Sequence, residues 1–371
     1  MPKVAKTNIN TIAKMAGVST TTVSNFINGT ETLPISEEKR ARIMQSMRRL
    51  KYRPSFASSQ LRRRTLLPGK VVFFFGSHPQ QNPFRTVRNP MLGELIVVLE
   101  QKVREQLRLA LVVRHVGDED LQADWNETLS DAEGVICYGQ LDRALHDSCL
   151  RRNLPLALIS DNPQIATRGL SELPSVDCVF FDAASHLQIL FDHLRGLGAK
   201  RFVFVSSWNI ERNHPKGFAL EAEAKVRRFR ELMDAHRDIG GELLFPPMPE
   251  NGDPLFEARN AFDFLGRHQA ALRAADAFIG HNDFVAQGII AALRAEGRTP
   301  GPGALVCGEG DYPECRHSIP AMTTATYDQE FLSNSVCEVL SRRIKDNRPR
   351  DERILIPSRL IQRETTGSVL A

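Results

Sequence analysis

Ser19, Thr20, Thr21, Ser24 and Asn25 are short polar side chains that fall within seven residues near the start of the chain. Hydroxyl and amide groups of this length reach base edges in a DNA major groove, and an asparagine can pair with adenine through two hydrogen bonds. The chemistry they suit is reading rather than bond making. The chain has no nucleophile elbow, phosphate-binding glycine loop, dinucleotide fingerprint after a strand or metal-ligand spacing. No enzyme is therefore expected, and no cofactor or metal. The simpler account is that these residues only cap helices.

Those elements read as three short helices. Asn8 is the expected N-cap of a helix over residues 9–15, Gly17-Val18 breaks it, and Ser19 caps a second helix over residues 20–28 that Gly29 stops. Ser36 caps a third, with Glu37 and Glu38 placed favourably against its N-terminal dipole and Ile43, Met47 and Leu50 as its apolar stripe. Ile12, Ala13, Ala16, Val18, Val23 and Ile27 can close a small common core. Two helices joined by a tight glycine turn make a helix-turn-helix whose second helix presents Thr20, Thr21, Ser24 and Asn25 outward.

The 371 residues suit two or three domains, and 42% hydrophobic residues can supply a sizeable core. The net charge of +4 is unevenly placed. Residues 1–70 hold 14 Lys or Arg against 3 Asp or Glu, so an acidic remainder follows a basic head. That asymmetry points to a polyanion-binding module on a body with another task. The six cysteines form no CxxC pair and suit buried thiols in a reducing cytoplasm. The N-terminus lacks the apolar segment of a signal peptide, and no apolar run reaches membrane-spanning length. A cytoplasmic protein, nucleoid-associated when bound to DNA, is expected.

The run Ile12-Ala13-Lys14-Met15-Ala16-Gly17-Val18-Ser19-Thr20-Thr21-Thr22-Val23-Ser24-Asn25-Phe26-Ile27-Asn28-Gly29 closely resembles the signature of the lactose-repressor/galactose-repressor (LacI/GalR) family of bacterial transcription regulators. The resemblance continues through Ser36-Glu37-Glu38-Lys39-Arg40 and Leu50-Lys51-Tyr52-Arg53-Pro54. It implies base reading by Thr20, Thr21 and Asn25, with Asn8, Ser19, Ser24 and Asn28 completing the DNA-contacting set. An Arg is common in the family where Asn25 stands, so the operator sequence is expected to differ. Residues 54–64 resemble the family's hinge helix, which is too short to be stable alone and orders in the minor groove on DNA. Leu61 matches the family's intercalating leucine, a wedge that unstacks a base step, with Ser58 and Arg62 beside it.

From Lys70 the pattern changes to apolar strands alternating with helices, which indicates parallel sheets covered on both faces. The strands are too many for one small sheet. Two adjacent α/β lobes fit better, with a ligand cleft at the carboxyl ends of the strands. The body resembles the family's periplasmic-binding-protein-like domain through Asn89-Pro90-Met91-Leu92-Gly93-Glu94-Leu95, Leu154-Pro155, His281-Asn282-Asp283 and Arg363-Glu364-Thr365-Thr366. The implied fold class is a small all-α helix-turn-helix domain plus an α/β two-lobed domain of two parallel sheets. The implied division is a head at 1–53, a hinge and linker at 54–69, and an effector domain at 70–371. Its N-lobe takes 70–177 and 327–346, and its C-lobe 178–326 and 347–371. By family position, Ser77, His78, Ser160, Trp208, Lys225, Asn282, Asp311 and Tyr327 face the effector, with Arg227 and Arg228 competing for the place given to Lys225. The family function expected is a repressor that binds a near-palindromic DNA operator as a homodimer under control of a small ligand, a sugar or sugar derivative, with no membrane partner. The alternative is a degenerate cleft, with control by a protein partner.

Overall fold

The computed structural model describes residues 8–28, 35–50, 52, 69–76, 90–116, 125, 127–139, 143–160, 176–206, 219–247, 254–346 and 352–367. The chain divides into two units: Met1–Pro79, Ile96–Phe180 and Glu330–Ile354 form the first, and Gln80–Leu95, Phe181–Gln329 and Leu355–Ala371 the second.

The first unit begins with three helices, α1 (Ile9–Ala16), α2 (Thr20–Asn28) and α3 (Glu37–Arg49). Its six-stranded sheet is built from β1 (Lys70–Gly76), β2 (Ala110–Val116), β3 (Ala132–Tyr138), β4 (Leu156–Ser160), β5 (Asp177–Phe181) and β11 (Arg353–Ile356), in the order β11-β5-β4-β3-β1-β2. The helix α4 (Pro90–Lys102), which runs into a wider turn at Val103–Leu107, belongs to the first unit only from Ile96 onward, and α5 (Arg143–Arg152) supplies a crossover between strands. Strands β1 to β5 pair in parallel. Alternation along them is strict: Val72, Phe74, Val135, Cys137, Leu156 and Leu158 share one core with Leu145 and Cys149 of α5. The intervening Val71, Phe73, Ile136, Ala157 and Ile159 are equally buried. A sheet apolar on both faces is what helix-covered parallel strands require.

The second unit repeats the plan. In chain order it contains α6 (Ala183–Gly196), β6 (Arg201–Val205), α7 (Ala219–Ala235), β7 (Gly240–Leu244), α8 (Pro254–Leu265), α9 (Gln269–Ala274) and β8 (Ala277–Gly280). There follow α10 (Asp283–Ala295), β9 (Leu305–Glu309), α11 (Pro313–His317), β10 (Thr323–Tyr327) and β12 (Ser358–Ile361), while α12 (Gln329–Asp346) belongs almost wholly to the first unit. The strand order is β12-β10-β9-β8-β6-β7. Parallel pairing holds throughout except at β12, which runs antiparallel to β10 along an edge. Phe202, Phe204, Ala277 and Ile279 meet α6 and α7, whereas Val203, Val205, Phe278 and Val306 meet α8 and α10. In both sheets the first strand lies between the second and the third, so the chain reverses its winding direction there. Such reversals open a crevice at the carboxyl ends of strands.

Helices α8 and α10 approach closely because of one residue. A Cβ on Gly288 of α10 would overlap the Ala258 carbonyl oxygen of α8 and stand 2.7 Å from Ala261 Cβ. Helix propensity alone favours Gly288→Ala by about 1 kcal/mol. The clash reverses the sign, because overpacking costs roughly 1–3 kcal/mol. Gly288→Ala is therefore expected to lower the midpoint of urea unfolding, and a raised midpoint would contradict the close packing.

Candidate nucleic-acid interface and strand-end cluster

The head is built by caps and a small core. Asn8 Oδ1 accepts from the Thr11 N–H at 3.0 Å and starts α1. Gly17 ends it in the left-handed region at φ 66°, where a side chain is strained, and the Val18 N–H donates to the Ala13 carbonyl at 3.0 Å. Ser19 Oγ accepts from the Thr22 N–H at 3.0 Å and shares a 2.8 Å hydrogen bond with Thr22 Oγ1. Ser36 caps α3, with Glu37 and Glu38 in its first turn. Ile12, Ala13, Ala16, Val23, Phe26, Ile27, Ile43 and Met47 form the core, against which Val18 and Leu50 pack half-buried. Phe26 was absent from the expected core, although its spacing from Val23 places it on the same helix face.

This framework leaves Thr20 and Thr21 exposed at the first turn of α2, with Ser24 and Asn25 half-exposed one turn later. Asn28 is the last residue of that helix. Ser19 and Asn8 are spent largely on capping, as the simpler account of these residues holds. Thr20 and Thr21 are not, and that account does not explain their exposure. Ser58, Leu61 and Arg62 lie outside the described residues.

In the second unit the strand ends gather buried charge. Lys225 of α7 is only 2% exposed, with its Nζ 2.8 Å from Glu309 Oε2 and donating to the His281 carbonyl at 3.1 Å. His186 of α6, also buried, places Nδ1 3.0 Å from Glu309 Oε1. Burial alone would raise the Glu309 carboxyl, but the Lys225 ammonium and then His186 outweigh it and hold it at about 2. The rings of Phe181 and Tyr327 stack beside this cluster with centroids 4.3 Å apart, and the His186 ring lies nearly parallel to Tyr327. His186 and Glu309 were not among the sequence-derived candidates. Nothing in their spacing links positions 186, 225 and 309; only the fold does.

Asn282 caps α10, accepting from the Val285 N–H at 2.9 Å, and donates to Glu257 Oε2 at 2.5 Å. Asp311, in the left-handed region at φ 56°, accepts from Arg316 at 3.0 Å and from Arg363 at 2.5 Å. Ser160 ends β4 in the first unit and is buried. The fold thus brings Lys225, Asn282, Asp311 and Tyr327 to the strand-end side of the second sheet. Ser77, His78 and Trp208 lie outside the described residues. Arg227 is exposed, and Arg228 bonds Glu231 at 2.9 Å and Gln188 at 2.5 Å, so of the three cations Lys225 is the one at the strand ends. Among the described residues no group of His, Cys, Asp and Glu could hold a metal ion, and no helix is long and apolar enough to cross a membrane. All six cysteines are buried and none is in a disulfide.

A capped helix-turn-helix joined to an α/β body with two such sheets defines a DNA-binding transcription regulator. Residues 8–55 match the profile of bacterial regulatory proteins of the lacI family, and residues 191–366 match the periplasmic binding protein-like domain. The chain is 23% identical over 367 residues to the transcriptional regulator GalR of Lacticaseibacillus casei, spanning 97% of this chain and 99% of the relative. It is equally identical, over the same shares, to the repressor PurR of Mannheimia succiniciproducens. The fold matches that of the Lac repressor bound to ONPG with a TM-score of 0.62 at 19% identity, over 97% of this chain and 99% of the other. A complex of the transcriptional regulator CelR with cellobiose matches with a TM-score of 0.61 at 17% identity, over 97% and 100%. The chain belongs to the LacI family of bacterial transcription regulators and is not an enzyme.

One buried carboxyl in this unit gives the stability a pH dependence. Asp283 accepts from the Tyr312 N–H at 2.9 Å and the Thr324 hydroxyl at 2.7 Å. Burial raises its carboxyl to about 6 against the opposing pull of the Cys315 thiol, the Thr324 hydroxyl and the Tyr312 N–H. A carboxyl raised by folding binds its proton more tightly in the native state. Its contribution is complete below the ordinary value of 3.8 and is lost as pH rises through about 6. Between pH 4 and 7 the wild type is expected to lose on the order of 2 kcal/mol relative to Asp283→Asn. Urea titrations of both proteins across that range measure the difference; a constant difference would contradict the raised carboxyl.

Proposed function

We propose that this regulator is a repressor that binds a near-palindromic operator as a homodimer in the cytoplasm and is controlled by a small ligand, a sugar or sugar derivative. The head at 1–53 reads bases, the segment 54–69 acts as the hinge, and the remainder receives the ligand at the carboxyl ends of its strands. The observation that carries the DNA reading is the exposure of Thr20 and Thr21 on a helix already capped by Ser19, with Ser24 and Asn25 one turn on. Polar side chains so presented, in a basic head, suit base edges and phosphates together. A solved relative, the Lac repressor dimer bound to operator and the anti-inducer ONPF, shares the fold with a TM-score of 0.59.

Dimerisation is supported by the edge strand β2, in which Val112 and Val113 are 38% and 41% exposed although they point to opposite faces of the sheet. An apolar edge left open on both faces invites pairing with a second copy. In the operator complex the paired hinges meet in the minor groove, where the Leu61 side chains wedge a base step. Ligand binding shifts the balance between DNA-competent and incompetent states. One observation favours a second reading, a degenerate ligand site with control by a protein partner: the Lys225 ammonium is already matched by Glu309.

Selection of bound duplexes from a random DNA pool at near-physiological salt tests the main reading. A two-fold symmetric consensus with a fixed centre is expected; binding without consensus that vanishes as salt rises would reduce the head to non-specific attraction. On the selected operator, Leu61→Ala is expected to weaken binding about tenfold or more, roughly 1.4 kcal/mol, with the dimer intact. Val113→Asp should shift the protein to monomer in sedimentation equilibrium, and an unchanged dimer would remove β2 from the interface.

A further inference from the structure

Every cation described at the strand ends of the second unit already faces a carboxylate. Lys225 faces Glu309, Arg316 and Arg363 face Asp311, and Arg359 bonds Asp328 at 2.9 Å. The innermost pair is buried, where water cannot screen it. We propose that Glu309, held by Lys225 and His186, sets the charge class of the effector: the site admits an uncharged polyhydroxyl ligand and turns away the matching acid or phosphate ester. This inference rests on the proposal that the effector binds at these strand ends.

The physical case has two parts. A ligand carboxylate or phosphate would need a counter-cation, and the buried ammonium nearest to it is neutralised from within. The newcomer would lose its hydration and meet the Glu309 carboxylate as a like charge. A hydroxyl brings no net charge. A carboxylate has about four acceptor positions; the Lys225 ammonium lies 2.8 Å from one oxygen and His186 Nδ1 3.0 Å from the other, and the positions left over suit hydroxyl donors. Glu309 thus acts as a tethered anion: it cancels the one charge that would recruit an acid and keeps acceptors for a sugar. His186 faces the same carboxylate and its ring stacks near Phe181 and Tyr327, so it fixes which oxygens remain. The cluster joins α6, α7 and the end of β9, and Lys225 also holds the carbonyl of His281 just past β8.

The test is calorimetric titration of the full-length protein with matched probes: neutral aldoses and disaccharides, their aldonic acids, their phosphate esters and inorganic phosphate. In the wild type a neutral member is expected to bind at least tenfold tighter than its acid. Glu309→Gln uncovers the Lys225 ammonium and should move that ratio at least tenfold toward the acid. The double variant Lys225→Gln with Glu309→Gln removes both charges at similar volume and should restore the preference for the neutral member. That restoration separates charge from a mere change of packing, and the double variant folds without an unpaired buried cation. Lys225→Gln alone should reject acids more strongly than the wild type. A wild type that prefers the acid, or a ratio unmoved by both Glu309→Gln and Lys225→Gln, overturns the inference while leaving the effector site in place. Absence of binding by any probe to the wild type and all variants overturns the effector site itself, and the inference with it.

Discussion

The ammonium of Lys225 sits where water does not reach, and the organisation of the second unit's strand edge follows from what must surround it. A buried, unpaired cation costs several kcal/mol. Glu309 therefore has to arrive at the end of β9 with its carboxylate facing α7, and the His281 carbonyl has to turn inward just beyond β8. Both conditions depend on strand order. With β6 between β7 and β8, the carboxyl ends of β8 and β9 lie under the helix that follows β6. The parallel arrangement thus assembles a charged cluster from segments far apart in the chain, and His186 completes it from the first turn of α6.

The reading head obeys the opposite requirement. Its candidate reading side chains have to stay at the surface, as Thr20 and Thr21 do, so the backbone donors around them are satisfied by others. Ser19 and Asn8 accept the orphan N–H groups, and Gly17 turns the chain where a Cβ would be strained. Eight buried apolar residues hold three short helices that would not persist alone. Two solutions to the desolvation of polar groups thus coexist in one chain: caps that free a surface, and ion pairs that close an interior.

Legibility in the sequence differed between these regions for a physical reason. The head depends on contacts between residues a few positions apart, so caps, turn glycine and apolar period all show in a window of twenty residues. Its helices begin at Ile9, Thr20 and Glu37, where Asn8, Ser19 and Ser36 place them. The alternation of strands and helices in the body was equally visible, because strands buried on both faces stand out as apolar runs. The candidate ligand set was read less completely. Asn282 and Asp311 do lie at strand ends, but one is a helix cap and the other is shared by two arginines. Glu309, at the end of the apolar run of β9, and His186, in an amphipathic helix, carry no local sign of their connection.

The sequence by itself determined that this chain has a basic helix-turn-helix head on an α/β body of two sheets, because capping, helical period and strand burial are short-range properties. Only the tertiary structure decided which polar residues of the body meet. Whether Lys225 offers its charge to a ligand or spends it on Glu309 depends on three segments converging, and on the burial that follows where they do. Electrostatic pairing acts through space, and a linear sequence records position along the chain but not distance across it.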